Sequence, residues 1–357
     1  MASLTGAQSK AGLKVASTWG TAVSCGAGNS LAAELSPNFN VSEITARQIG
    51  SGNYMLNNAT RGSVIPTVSV TADLGYRNNC DVLLAQMLGI SAVPVEITPG
   101  EGDYLHQIFF NNTLNAKYVT LAFESTSNTV MEFPTCAVQS VGISTTSIPG
   151  YLDFTAELLA SGVALTNSLP TPAPVNTNVS LAGCTFSEGT PELVAVDYSD
   201  TFRTNDSSGA AVAGGDQYNI TGFELSLNRP QEVIPEIRGA AGLPAPLGTD
   251  LFDGTFTAQV KELVDHGYYG IWSAETSRKA AIVIEGTQIG LGSNKSFSIY
   301  LPRILLVTEP QYALTDQGTN ALSLEFRLLR AEANPTGMDN TYPYFEIVNT
   351  LATSLLA

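Results

Sequence analysis

From Tyr151 to Leu158 the chain alternates in character: Leu152, Phe154, Ala156 and Leu158 are apolar, while Tyr151, Asp153, Thr155 and Glu157 between them carry polar groups. A period of two is the mark of a strand with one face against a core and the other open to water or a partner. The pattern recurs 170 positions later, where Leu322, Leu324, Phe326 and Leu328 are apolar and Ser323, Glu325 and Arg327 lie between them. Each inward side chain contributes about 1.5–3 kcal/mol when fully buried. A slip by one residue would expose the whole set, so the register is firmly specified. Leu152, Phe154, Leu158, Leu322, Leu324, Phe326 and Leu328 are therefore expected core anchors.

The surroundings of the two strands also repeat. A proline-bearing strand precedes each, Phe133–Val138 and Leu301–Val307, and "ELS" followed one residue later by Asn occurs at Glu34–Asn38 and Glu224–Asn228. An edge strand or extended segment is expected at Val15–Ser24, strands at Pro66–Ala72 and Thr255–Val260, and a hairpin of Glu34–Phe39 with Glu43–Gln48, behind a mobile arm of residues 1–13. A helix should follow each strand of the second pair. Asn78 or Asn79 caps the first, Asp81 suits its opening turn, Val82, Leu83, Met87 and Leu88 form its apolar face, and Gly89 ends it. The second runs from Glu262 to Glu275, with Leu263, Val264, Tyr268, Ile271 and Trp272 spaced for one face and Gly267 and Gly270 weakening it. Long loops at Gly50–Ser63 and Gly239–Gly254 occupy corresponding places, and loops of that length usually carry function. The repeat reads as two copies of one β-rich unit: residues 1–168, a Pro-rich linker 169–195, and residues 196–357. No charged residue occurs from Leu158 to Ser187. The fold class is mainly β, two tandem sandwiches or rolled barrels, each with one flanking helix.

Charged residues are only 13% of the 357, about half the usual share. So few surface charges suit a chain covered by protein on several sides. The net charge is −16, with 6 basic and 11 acidic side chains before residue 179 and 10 and 21 after it. Phosphate neutralisation needs clustered Lys or Arg, so specific binding to nucleic acid is not expected. No stretch has the length of a signal-peptide core or a membrane span. Cys25, Cys80, Cys136 and Cys184 are scattered, without a CxxC pair, and read as buried free thiols.

Candidate chemistry is sparse. His106 and His266 lie outside any metal-ligand spacing, "CGAGNS" lacks the Lys and the third Gly of a phosphate loop, and no GxSxG elbow occurs. Asp265–His266 and the carboxylates Glu309/Asp316 read as structural rather than catalytic. The aromatic pairs Tyr268/Tyr269 and Tyr342/Tyr344 fit packing better than sugar binding. No enzymatic activity and no cofactor is expected.

"VASTWGTA" near the N-terminus, the strand–loop–strand–helix order ending in "SVTADLGYRNNCDVLLAQMLG", and the closing strands "CAVQSVGIS" and "GYLDFTAELLASG" resemble the tail tube (major tail) proteins of long-tailed bacteriophages. The order of several weak motifs carries this resemblance, well in the first half and by repetition in the second. It implies rings of six units whose inner sheets join into one barrel, stacked into a virion tail tube that conducts genomic DNA without binding it. It also implies assembly in the host cytoplasm, other tail proteins at the tube ends, and no membrane partner. Two units per chain favour a homotrimeric, pseudo-hexameric ring over a ring of six chains. Asp153, Thr155, Glu157, Ser323 and Glu325 are then candidates for the lumen, and Gly50, Asn53, Tyr54, Asn57, Gly239, Leu243, Leu247 and Asp250 for assembly loops. Other readings are a capsid-decorating or tail-terminator protein, or a carbohydrate-binding β-protein of a surface layer.

Overall fold

The computed structural model describes residues 10–45, 59–111, 117–126, 129–165, 192–234, 236, 243–260, 267–310 and 322–356. In the first half the main elements are β1 (Ala11–Ala16), β2 (Glu34–Thr45), β3 (Ala59–Asp73), α1 (Cys80–Leu88), β4 (Tyr104–Phe110), β5 (Tyr118–Thr126), β6 (Thr129–Thr145) and β7 (Asp153–Ala160). The second half contributes β8 (Thr201–Asp206), β9 (Ile220–Asn228), β10 (Asp253–Val260), α2 (Gly267–Ser273), β11 (Arg278–Gln288), β12 (Asn294–Leu306), β13 (Leu322–Leu328) and β14 (Tyr344–Asn349). Every pairing among them is antiparallel, and the fold is mainly β.

The two halves share one strand order. The first runs β1–β5–β6–β7–β3–β2, and the second runs β8–β11–β12–β13–β10–β9. Register matches as well as order. Leu35 faces Val70, which faces Ala156, which faces Val141. In the same places Leu225 faces Phe256, Phe256 faces Phe326, and Phe326 faces Leu306. All seven core anchors are buried, and β13 alternates buried and exposed along its whole length. The proline strands lie in the equivalent β6 and β12, but Leu158 faces Val138 while Leu328 faces Ile304, so Pro134 and Pro302 are not at matching register positions.

The copies fill their interiors differently. All nine residues of α1 are buried, including Asp81 and Gln86, so the expected one-sided apolar face is in fact a helix enclosed on every side. Gln86 Nε2 donates to the Tyr118 carbonyl at 3.2 Å. The Asp81 carboxyl is pushed up to about 7 by its burial. Asn79 begins the helix in the left-handed region at φ 68°, and Asn78 Oδ1 accepts from the Cys80 amide. Gly89, at φ 96°, ends it as expected, in a conformation that residues with a Cβ seldom adopt. No residue of α2 is buried. In its place aromatic side chains fill the second core, with Phe256 within 6.2 Å of Phe202, Phe223 and Phe326, ring centre to ring centre.

Several local expectations change. The chain from Ala11 to Leu13 is a strand rather than part of an arm, because Leu13 inserts into the core, and the strand ends at Ala16 instead of reaching Ser24. Glu34–Thr45 is one continuous strand, its length set by pairing with β3, not a hairpin. β3 already starts at Ala59, inside the expected loop Gly50–Ser63. Tyr151 belongs to a separate two-residue bridge with Ala195–Val196, and Leu152 sits between, its amide donating to the Val194 carbonyl and its carbonyl accepting from the Leu74 amide. The linker's last residues are therefore threaded into the fold. Described α2 begins at Gly267, and Leu263, Val264, Asp265, His266, Asp316 and Cys184 lie outside the described residues. Cys25, Cys80 and Cys136 are free and buried.

The halves are joined through shared ladders. β9 pairs with the far end of β6, placing Leu227 opposite Val141 and Leu225 opposite Ile143. β14 lies between β12 and β4. Arg229, buried at the end of β9, donates through Nη1 to the Met87 carbonyl at 2.9 Å and through Nη2 to the Asn111 carbonyl, with its guanidinium 5.0 Å from the Phe110 ring centre. A cation from the second half thus caps the C-terminus of the first half's helix, where the dipole favours it. Replacing Arg229 with Ala should lower stability by about 2 kcal/mol, because charge-assisted hydrogen bonds are lost and helix-end carbonyls stay buried; denaturant unfolding measures it.

Glu132 on β6 is 2% exposed, faces Ala122 and Ala164, and neither of its carboxyl oxygens has a hydrogen-bond partner. Desolvation raises it from 4.5 to about 7. The native state then holds a proton that the unfolded chain has released, so this residue's contribution to stability falls as pH rises from about 4.5 to about 7. Glu132→Gln should shrink the drop in melting temperature between pH 5 and pH 8.

Candidate functional site: a continuous polar sheet face

Because β9 docks on β6, one sheet runs β2–β3–β7–β6–β9–β10–β13–β12. Alternation then sends the same set of side chains outward on every strand. Thr71, Thr155, Gly142, Ser226, Thr255 and Arg327 stand opposite one another in sequence across six strands. A neighbouring row carries Asp73, Asp153, Ser144, Glu224, Thr257 and Glu325. A third carries Ser36, Ser69, Glu157, Ser140, Asn228 and Asp253.

Asp153, Thr155 and Glu157 thus share one face of one sheet with Ser323 and Glu325, although the two groups come from opposite halves of the chain. The expected candidates omitted Glu34, Asp73, Glu224 and Asp253, which belong to the same face. The alternation of β2, β3, β9 and β10 could have found them, but the pairing of β9 with β6 has no signal in the sequence. Arg327 donates to Asp253 at 3.3 Å and is neutralised there. Small hydroxyls dominate the rest. At Gly142 an added Cβ would come within 2.5 Å of the Thr155 hydroxyl, so the row closes tightly at the centre of the sheet. Such a face offers hydrogen-bond acceptors and repulsion to a polyanion, with no cluster of cations for phosphate among these rows.

Of the expected assembly loops, Gly50, Asn53, Tyr54, Asn57 and Gly239 lie outside the described residues. The Leu243 carbonyl accepts from Trp19 Nε1 at 3.0 Å, tying that loop to the first half. Leu247 faces Glu232 in a short ladder and is 59% exposed, and the Asp250 carboxylate accepts from the Leu251 amide. Gln139 and Gln231 lock the base of this loop by donating to each other's strands at 2.7 and 2.8 Å.

His106, Tyr342 and Tyr344 are packed into the fold. His106 is buried with Nε2 2.9 Å from the Leu351 carbonyl, and burial lowers its affinity for a proton. Tyr344 stacks on Tyr300 at 4.7 Å and Tyr342 on Phe110 at 4.6 Å. Among the described residues no helix is long and apolar enough to cross a membrane.

No match to the chain is found among curated proteins. A family model described as "Phage tail tube protein" matches residues 6–328. A match over nearly the whole of a duplicated, antiparallel β chain leads to one conclusion: the protein belongs to the phage tail tube protein family.

Proposed function

We propose that three copies of this chain form a pseudo-hexameric ring, that rings stack into the hollow tail tube of a virion, and that genomic DNA passes through it to the host without being bound. Each chain contributes two units, 1–168 and 196–357, joined by 169–195, and assembly takes place in the host cytoplasm with other tail proteins closing the tube ends. The observation that carries this reading is the single polar face shared by both units. Four strands of that face belong to each unit, β2, β3, β7 and β6 in one and β9, β10, β13 and β12 in the other. Six units in a closed barrel would place facing backbones ~40–50 Å apart at ordinary strand spacing and tilt. Polar side chains narrow that channel and still leave room for a duplex, with Asp153, Glu157, Glu224 and Glu325 turned toward it.

A sheet that already runs through two units favours three chains over six, since a second unit on the outside would share no such face. The loop bearing Leu243, Leu247 and Asp250, together with its counterpart Gly50–Ser63, is assigned contacts with neighbouring protomers or rings. Exposed Leu247 and Leu251 support this.

Electron microscopy of purified protein should show stacked hollow rings with three-fold symmetry and six similar lobes; six identical lobes would remove the trimer. In assembled tubes, Glu157→Lys should leave stability nearly unchanged and create DNA retention that weakens with salt, read by co-sedimentation of tubes with duplex DNA.

A further inference from the structure

We infer that the second half carries an unfilled copy of the joint within the chain, and that the β2–β3 hairpin of a second copy fills it, pairing β2 with the end of β12 and closing over α2. This rests on the self-assembly reading above and specifies its contact.

The shared strand order gives each residue of the internal joint a counterpart. β9 corresponds to β2 through Leu225 and Leu35, and the far end of β6 corresponds to the end of β12 through Val141 and Leu306. Beyond that point the match continues, because the Val307 amide donates to Glu325, 170 positions after Thr155, which faces Gly142. Transferring the pairing of β9 with β6 puts Asn38 opposite Leu305, Pro37 opposite Leu306 and Ser36 opposite Val307.

Three differences between the halves mark what is missing. β6 continues to Thr145 with β9 beside it, whereas β12 stops at Leu306 and Val307 is 43% exposed. All of α1 is buried and Arg229 covers its C-terminal end, whereas Tyr269 on α2 is 44% exposed; Phe39, itself 37% exposed, stands at the position of Arg229. Finally, the Leu243 carbonyl accepts from Trp19 Nε1 in the first half. In the second half a cleft of about 400 Å³ opens instead, lined by Ser208, Ser277, Arg303 and Ala331. Arg303 and Ala331 there correspond to Ala137 and Ser161, since the Leu329 amide donates to Arg303 as Leu159 faces Ala137.

Such a joint is head-to-tail, with different surfaces on the two sides, so it propagates until a ring closes. Pro37 removes one N–H from the free edge of β2. It costs one bond of the ladder and restrains pairing with unrelated strands.

The test is the double variant Ser36→Cys with Val307→Cys. Arg229 donates its backbone N–H to Gln139, so alternation makes Ser226 and Gly142 a non-hydrogen-bonded pair. Their counterparts should lie ~4.5 Å apart at Cα, within disulfide reach. Oxidised assemblies should run as covalent multimers on a non-reducing gel, revert on reduction, and be absent with either single variant. Rings without cross-links would overturn the joint and leave self-assembly standing; wild-type protein that never forms rings would overturn self-assembly itself. Should the double variant not assemble, hydrogen exchange on the wild type decides: residues 33–39, 267–273 and 305–309 must slow on assembly, and unchanged rates reject the joint.

Discussion

The structure depends on one backbone ladder, the antiparallel pairing of β9 with the far end of β6. It turns two similar units into one sheet, aligns their polar faces, and brings Arg229 onto the end of α1. Without it Ile143 and Leu225 would lose each other and β6 would end as an open edge, a liability in water. The ladder also positions Arg229 over the last carbonyls of α1, closing that end of the buried helix.

Most of each unit was legible in the sequence. The period of two at Leu152–Leu158 and Leu322–Leu328 placed the core faces correctly, because a half-buried strand imprints its environment on alternate residues. The match of Glu34–Asn38 with Glu224–Asn228 proved to be a match of register as well as of letters. Gly89 marked the end of α1 through its backbone freedom alone.

What the sequence did not reveal is non-local. Nothing near Arg229 announces that it serves a helix 142 positions away, and Asp81 and Gln86 look like surface residues until the folded chain buries them. For the candidate site, Asp153, Thr155, Glu157, Ser323 and Glu325 could each be placed on an outward face. Whether the two outward faces were one surface depended on pairing between strands far apart in the chain. In the tube proposed above, this face of hydroxyls and carboxylates would surround the channel, where it would repel a passing polyanion.

β14 has a mechanical consequence. Residues 344–349 are inserted between β12 of the second half and β4 of the first, so the seam inside the chain is stitched twice, once by β9 on β6 and once by this strand. The seam proposed between separate copies would have no such second stitch. In a ring of three, rigid double units would alternate with singly held seams, and bending of the tube under load would concentrate at those seams.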